Sequence, residues 1–141
     1  MEAMKISMSA LDVEWQRLNI IAENLANINT TRSELGDVFK PRRLLSGPDI
    51  SFKNLLNTSS ANLKPSGVQV LGTETVDSGV RRVFDPEHPH ADTEGFVTFP
   101  KIDHASEMTL MIKTSRAYEA CLLYTSPSPR DATLSRMPSS A

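Results

Sequence analysis

The chain has 141 residues and a net charge of −2, with 15 Lys and Arg against 17 Asp and Glu. This length suits one small domain, or a small domain with extended helices, and the nearly balanced charge gives no electrostatic footprint for nucleic acid. The single cysteine excludes a disulfide within the chain, and no apolar stretch approaches the ~20 residues that span a bilayer.

The first predicted element is a long amphipathic helix at the N-terminus. Its apolar positions follow a heptad pattern, in alternating steps of four and three residues: Met4, Met8, Leu11, Trp15, Leu18, Ala22 and Leu25. We call these residues the α1 stripe; Ile21 and Ile28 widen it. We expect the helix to end within residues 27–31, "NINTT", where helix propensity is low. Because an isolated helix is marginal in water, another surface must cover the stripe.

The middle of the chain predicts loops and short strands. In residues 32–66, Pro and Gly punctuate short apolar pieces, which favours loops with one or two short strands and a helical turn at residues 52–56. The basic cluster of Lys40, Arg42 and Arg43 is interpreted as a solvated loop. Residues 67–102 contain Val- and Phe-rich pieces separated by Gly and by a polar loop with two prolines, which predicts two or three antiparallel strands.

A second heptad helix follows Asp103, which is a favourable N-cap residue. Steps of three and four residues define its stripe: Met108, Met111, Ser115, Tyr118 and Leu122. Ile112 widens this stripe. Since the rhythm matches that of the first helix, we expect the two terminal helices to pair with each other.

The predicted fold is therefore α+β, with an antiparallel, coiled-coil-like pair of long N- and C-terminal helices around a small β-rich insert. We assign residues 1–31 and 103–124 to a helical domain, 32–102 to a β-rich domain and 125–141 to a disordered tail. When two helices pair, one side of each apolar stripe remains exposed to solvent. Methionine-rich surfaces can also adapt to several partners. This favours a subunit of an assembly, although periodicity alone fits the inner face of a monomeric helical hairpin equally well.

One polar cluster is a candidate for metal chemistry: Asp85, Glu87, His88, His90 and Asp92. The two histidines alternate with a proline in an extended loop, and no partner ligands follow at zinc-like spacing. We interpret the cluster as a structural loop and Cys121 as a small helix-face residue. No catalytic motif occurs, so we expect no enzyme activity, metal or cofactor. A metal-dependent hydrolase using His88 and His90, and a soluble adaptor that presents an amphipathic helix to a partner's groove, are the alternatives.

Three segments resemble the bacterial flagellar basal-body rod proteins. The first is "SALDVEWQRLNIIAENLANINTT" (9–31), similar to the N-terminal signature of the family. The second, "FDPEHPHADTEGFVTFPKID" (84–103), is similar to a stretch of the proximal-rod members. The third, "EMTLMIKTSRAYEA" (107–120), resembles the C-terminal helix of the family. Together the similarity covers roughly residues 3–31 and 84–120.

The resemblance implies a structural subunit that assembles with other rod proteins and with copies of itself into the periplasmic rod. It also implies delivery by the flagellar type III export apparatus without a cleaved signal peptide, and the N-terminus indeed lacks the apolar run of about 7–15 residues that such a peptide needs. The assembly seam would consist of Leu11, Trp15, Leu18, Ala22, Leu25, Met108, Met111, Tyr118 and Leu122. Asn24 and Asn27 would hold the helix-end turn by side-chain to backbone hydrogen bonds, and Arg116 is a candidate for contacts between subunits.

The last segment departs from the family pattern. After residue 120 the family continues its amphipathic helix, whereas this chain reads "CLLYTSPSPRDATLSRMPSSA". Pro127 and Pro129 would each cost about 3 kcal/mol inside a helix, and the Ser/Pro/Thr content is typical of disorder. We expect residues after about Leu122 to be non-native, produced by a frame shift or a translated adaptor.

Overall fold

The structure, a computed structural model, describes residues 2–31, 36–50 and 66–125, together with positions 52 and 56. Two helices enclose four strands in chain order: α1 (Glu2–Ala26), β1 (Arg42–Pro48), β2 (Val68–Thr75), β3 (Val80–Phe84), β4 (Phe96–Pro100) and α2 (His104–Thr125). The terminal helices pack together beside small antiparallel sheets, so the predicted α+β fold is confirmed.

The helices run antiparallel to each other. Tyr118 of α2 stacks near Trp15 of α1, with ring centroids 6.1 Å apart. Leu110 lies about two turns before Tyr118 in α2. It lines a small cavity with Ile20 and Ile21, which come after Trp15 in α1. Moving forward along α2 therefore means moving backward along α1.

The helix ends are capped by the residues that the sequence marks for this role. Asp103 Oδ1 accepts a hydrogen bond from the backbone N–H of Ala105 at 3.1 Å, which caps the N-terminus of α2. Past the end of α1, Asn27 Nδ2 donates to the backbone carbonyl of Glu23 at 2.7 Å. Thr30 Oγ1 then bonds to Asn27 Oδ1 at 3.2 Å, so the turn after α1 is held by its own side chains.

Strands β1 and β2 form a two-stranded antiparallel sheet from the Arg42–Thr75 pair to the Pro48–Val68 pair, with a register shift between Leu45 and Ser46. The prediction of a solvated loop at Arg42 and Arg43 is wrong, because both lie in β1 and are half-buried. Their charges are balanced by carboxylates of the helices, a long-range pairing that local composition does not reveal.

Helix α1 approaches the start of β2 very closely. The backbone N–H of Val68 donates to Ser9 Oγ at 3.0 Å. Gly67 has φ +147°, and a Cβ added there would stand 2.5 Å from Ser9 Oγ. Because such a contact is far inside van der Waals distance and the backbone conformation favours glycine, only glycine fits between the helix and the sheet.

Strands β3 and β4 form a second two-stranded antiparallel sheet, paired from Val80–Pro100 to Phe84–Phe96. Val97 and Pro100 of β4 are fully buried, whereas every residue of β3 is exposed. Strand β4 therefore faces the interior and β3 forms the outer side of the molecule.

Two predicted segments lie largely outside the described residues. They are the helical turn at 52–56, of which only positions 52 and 56 are described, and the tail from residue 126 onward. The described helices include none whose length and apolarity would let it cross a bilayer.

Candidate assembly surface

The α1 stripe divides lengthwise into a half-buried row and an exposed row. Leu11, Leu18 and Leu25, at steps of seven residues, are half-buried. The exposed row holds Met8, Trp15 and Ala22, and Met4, at the N-terminal end of the leucine row, is exposed as well. Met8 and Trp15 retain 58% and 53% of their accessible surface, so a row of large apolar side chains on α1 faces solvent in the isolated subunit.

A different side of α1 carries the most buried residues. Val13 and Ile21 are each 3% exposed, Ile20 is 9% exposed, and Asn24 is fully buried. A cavity of about 120 Å³ marks the junction of α1, β1 and α2 on this side. It is lined by Arg17, Ile20, Ile21, Arg42, Arg43, Leu44 and Leu110. Helix α1 contacts both the β1–β2 sheet and α2. Its buried face is therefore broader than the heptad stripe and is centred on a different side of the helix.

The stripe of α2 divides in the same way. Met111 and Tyr118, seven residues apart, are half-buried, while Met108 and Leu122 are 38% and 43% exposed. Between the helices, a shallow groove of about 310 Å³ is lined by Leu11, Asp12, Trp15 and Tyr118. Arg116, the candidate for contacts between subunits, is exposed. In each helix, half-buried members of the stripe thus alternate with members that stay accessible.

Asn24 connects α1 to β1 through the main chain of Arg42. Its Nδ2 donates to the carbonyl of Arg42 at 2.9 Å, and its Oδ1 accepts from the N–H of Arg42 at 3.0 Å. The Arg42–Thr75 pair is a non-hydrogen-bonded position of the ladder, since the bond from Val76 N–H to the Pro41 carbonyl marks the neighbouring pair as bonded. The Asn24 amide therefore takes the place that a further strand would occupy, whereas Asn27 bonds within the turn itself.

Charged residues reinforce this docking, and the sequence alone did not reveal them as partners. Arg17 donates to Ser46 Oγ at 2.7 Å, and Arg42 forms an ion pair with Glu23. Arg43 pairs at 3.1 Å with Glu107, whose side chain is 3% exposed. These pairs join glutamates of the helices to arginines of β1 that are far away in the sequence. The partners can therefore be identified only once the packing is known.

The histidine loop between β3 and β4 is organised around Asp92. Its Oδ1 accepts from the N–H groups of Phe96 and Glu94 at 2.8 and 3.0 Å, and its Oδ2 accepts from Arg82 at 2.8 Å. The N–H of Phe96 above all lowers the pKa of the Asp92 carboxyl; desolvation opposes this shift, and Arg82 and the N–H of Glu94 add to it.

The two histidines of this loop make contacts inside the protein. His90 Nδ1 lies 2.6 Å from Thr31 Oγ1, which ties the loop to the turn after α1. The backbone N–H of His90 donates to His88 Nδ1 at 3.0 Å. In the part of the chain that the structure describes, no three His, Cys, Asp or Glu residues are arranged to hold a metal ion. These contacts give the loop a positioning function between α1 and the β3–β4 sheet.

The N-terminal part of the chain matches a model of a known protein family. The model of the family described as "Flagella basal body rod protein" matches residues 4–32, which comprise nearly all of α1 and the turn after it. The paired terminal helices and this match define the class as that of the flagellar basal-body rod proteins.

Relatives of known identity cover most of the chain. The flagellar basal-body rod protein FlgC of Bacillus subtilis (strain 168) is 34% identical over 125 residues, which span 84% of this chain and 83% of the relative. FlgC of Borreliella burgdorferi is 29% identical over 126 residues, with coverage of 84% and 83%. FlgC of Salmonella typhimurium is 28% identical over 115 residues, with coverage of 82% and 79%.

The chain belongs to the FlgC family of flagellar basal-body rod proteins. It is a structural subunit of the basal-body rod and not an enzyme, which confirms the resemblance found in its sequence and the function that the resemblance implies.

Replacing Asn24 with Ala tests the docking of α1 on β1. We expect the free energy of unfolding to fall by about 2–4 kcal/mol, because the N–H and the carbonyl of Arg42 would both lose their partner in a buried site. Urea unfolding followed by the fluorescence of the single tryptophan measures the loss. Asn27→Ala is the matched control and should cost about 1 kcal/mol, since the turn it serves is more accessible to water. Equal losses in the two variants would contradict the proposed docking.

Replacing Asp92 with Asn tests the electrostatics of the histidine loop. Because the pKa of Asp92 is lower in the folded state than its ordinary value of 3.8, the ionised carboxylate adds stability above that pH. This contribution is lost as the pH falls from 3.8 through the lowered value. The difference in unfolding free energy between wild type and Asp92→Asn should therefore shrink on acidification. Parallel pH profiles for wild type and Asp92→Asn would refute the assignment.

Proposed function

We propose that the subunit joins the rod through the exposed rows of its two helix stripes, which pack against other flagellar rod proteins and against copies of the same chain. The observation that carries this proposal is the row of Met8, Trp15 and Ala22, which is apolar and open to solvent. An apolar heptad row is suited to receive the knobs of a neighbouring helix, and a contiguous apolar surface of this kind marks an interaction site.

The route to the rod is part of the same proposal. We infer that the chain passes unfolded through the flagellar type III export apparatus and folds in the periplasmic rod without cleavage of a signal peptide. Its single cysteine supports this route, because no disulfide within the chain has to be broken or formed during transit. No nucleic acid takes part, in keeping with the net charge of −2.

Charged substitutions in the stripe test the proposed assembly. Leu18→Asp should abolish rod assembly and motility, because it places a carboxylate in the heptad seam. Leu18 is half-buried, so Met8→Asp, at a position that is 58% exposed, tests the same surface with little effect on the fold. Lys5→Gln is the control, since it changes the net charge by the same amount at an exposed position off the stripe.

The readouts are motility in a strain that lacks the native gene and incorporation of the variant into isolated rods. The isolated Met8→Asp and Lys5→Gln variants should keep the far-ultraviolet circular dichroism of the wild type. Motile strains carrying Leu18→Asp and Met8→Asp would contradict the proposal. A wild-type chain that remains monomeric at high concentration and with other rod proteins present would favour a soluble adaptor.

A further inference from the structure

Strand β3 leaves one edge without a partner among the described residues. The bonds from Lys101 N–H to the Gly79 carbonyl and from Asp85 N–H to the Gly95 carbonyl mark the hydrogen-bonded pairs of the β3–β4 ladder. Because such pairs alternate in an antiparallel ladder, the N–H and carbonyl groups of Val80, Arg82 and Phe84 point away from β4. All five residues of β3 are exposed.

Among the described residues, β2 also has an edge without a partner, namely the edge opposite β1. The bond from Val76 N–H to the Pro41 carbonyl sets the alternation there, so the N–H and carbonyl groups of Thr73 and Thr75 point away from β1. Residues 73–75 are exposed, and Leu71 retains 64% of its accessible surface. An unpaired, exposed edge is a template for another strand.

The two edges have complementary charges. Strand β3 reads "VRRVF"; Arg82 is already paired with Asp92 and Glu94, whereas no described carboxylate forms an ion pair with Arg81. Strand β2 reads "VQVLGTET" and carries one glutamate and no basic residue. Val80, at the start of β3, also lines a groove of about 560 Å³, together with the apolar Val38 and Phe39 and the charged Asp37, Lys40 and Asp77. A strand added at this end of β3 would lie near both apolar and charged side chains.

We propose that β2 of a second copy of this chain adds to the outer edge of β3 as an antiparallel strand. Several registers join the open groups on both sides, and the one that also pairs the opposite charges has Thr73 opposite Arg82 and Thr75 opposite Val80 as the hydrogen-bonded pairs. Glu74 then lies directly opposite Arg81, and the ladder extended toward its other end brings Leu71 opposite Phe84. Opposite charges and apolar–aromatic neighbours are the favourable cross-strand pairs.

This contact joins two different surfaces of the same chain, so each copy can give one strand and receive another. Such heterologous contacts build rings or open helical filaments, as a rod requires. The inference rests on the proposed function, namely that copies of the chain lie next to each other in the rod, and it adds the strands and the register by which they would meet.

Disulfide trapping tests the register. Thr75→Cys in one chain and Val80→Cys in another, each in a Cys121→Ser background, would form a hydrogen-bonded pair whose Cα atoms are about 5.5 Å apart, well within disulfide range. Mixing the two full-length variants and oxidising them should give a disulfide-linked heterodimer. Thr73→Cys mixed with Val80→Cys is the control, because the offset of two residues puts the Cα atoms beyond about 7 Å, so its yield should be about tenfold lower.

Exchanging the charges tests the pairing of Glu74 with Arg81. Glu74→Arg in the Thr75→Cys chain alone should lower the cross-linking yield about fivefold, and so should Arg81→Glu in the Val80→Cys chain alone. Combining the two should restore the yield, which a loss of folding in either variant could not produce.

Three outcomes would overturn the inference: no heterodimer, equal yields from the matched and offset pairs, or no rescue by the double exchange. Incorporation of the same variants into rods is scored in parallel. Normal incorporation without cross-linking would refute the strand addition but not the proposed rod assembly. Failure of the wild-type chain to assemble would count against both the strand addition and the rod assembly.

Discussion

The buried amide of Asn24 is the interaction on which the arrangement of the subunit depends. Asn24 has no exposed surface, so both ends of its amide must find partners in the protein. They find them on one backbone unit, the N–H and carbonyl of Arg42, at the edge of β1 that would otherwise be open. This satisfies the edge at Arg42 and fixes the rotation of α1, so that Ile20 and Ile21 face inward.

The rotation of α1 in turn decides which apolar residues remain outside. With Asn24 and Val13 facing the interior, the exposed row of the α1 stripe points to solvent, and Trp15 stays 53% exposed although Tyr118 of α2 lies beside it. A monomer that kept such a row open without a partner would expose an association surface, whereas a rod subunit needs one. The ion pair between Arg43 and the buried Glu107 holds the start of α2 against the same sheet. Both helices are therefore linked to the β1–β2 sheet through β1, and a change at this strand should alter the assembly surface.

Much of the fold was accessible to sequence reasoning because its signals are local. The heptad periods revealed both helices, Asp103 marked the start of α2, and the valine- and phenylalanine-rich pieces located β2, β3 and β4. Strand β1 was harder to recognise in its basic segment, because Arg42 and Arg43 suggested solvent exposure and their partners are far away in the chain. The division of the α1 stripe was not readable either, since Val13 and Ile20 form a second apolar row at a seven-residue step and only tertiary packing decides between the two. For the same reason, Asn24 was expected to serve the turn at the end of α1, although its amide reaches across to β1.

The central claim is that one row of the α1 stripe is covered within the subunit and the other is covered only in the rod. Single cysteines at Met8, Ala22 and Lys5, in a Cys121→Ser background, allow maleimide labelling to be compared between free subunits and isolated rods. All three positions are exposed in the subunit and should react there. In rods, Met8→Cys and Ala22→Cys should become protected from maleimide, while Lys5→Cys should stay reactive. Equal reactivity of Met8→Cys and Ala22→Cys in subunits and rods would contradict it.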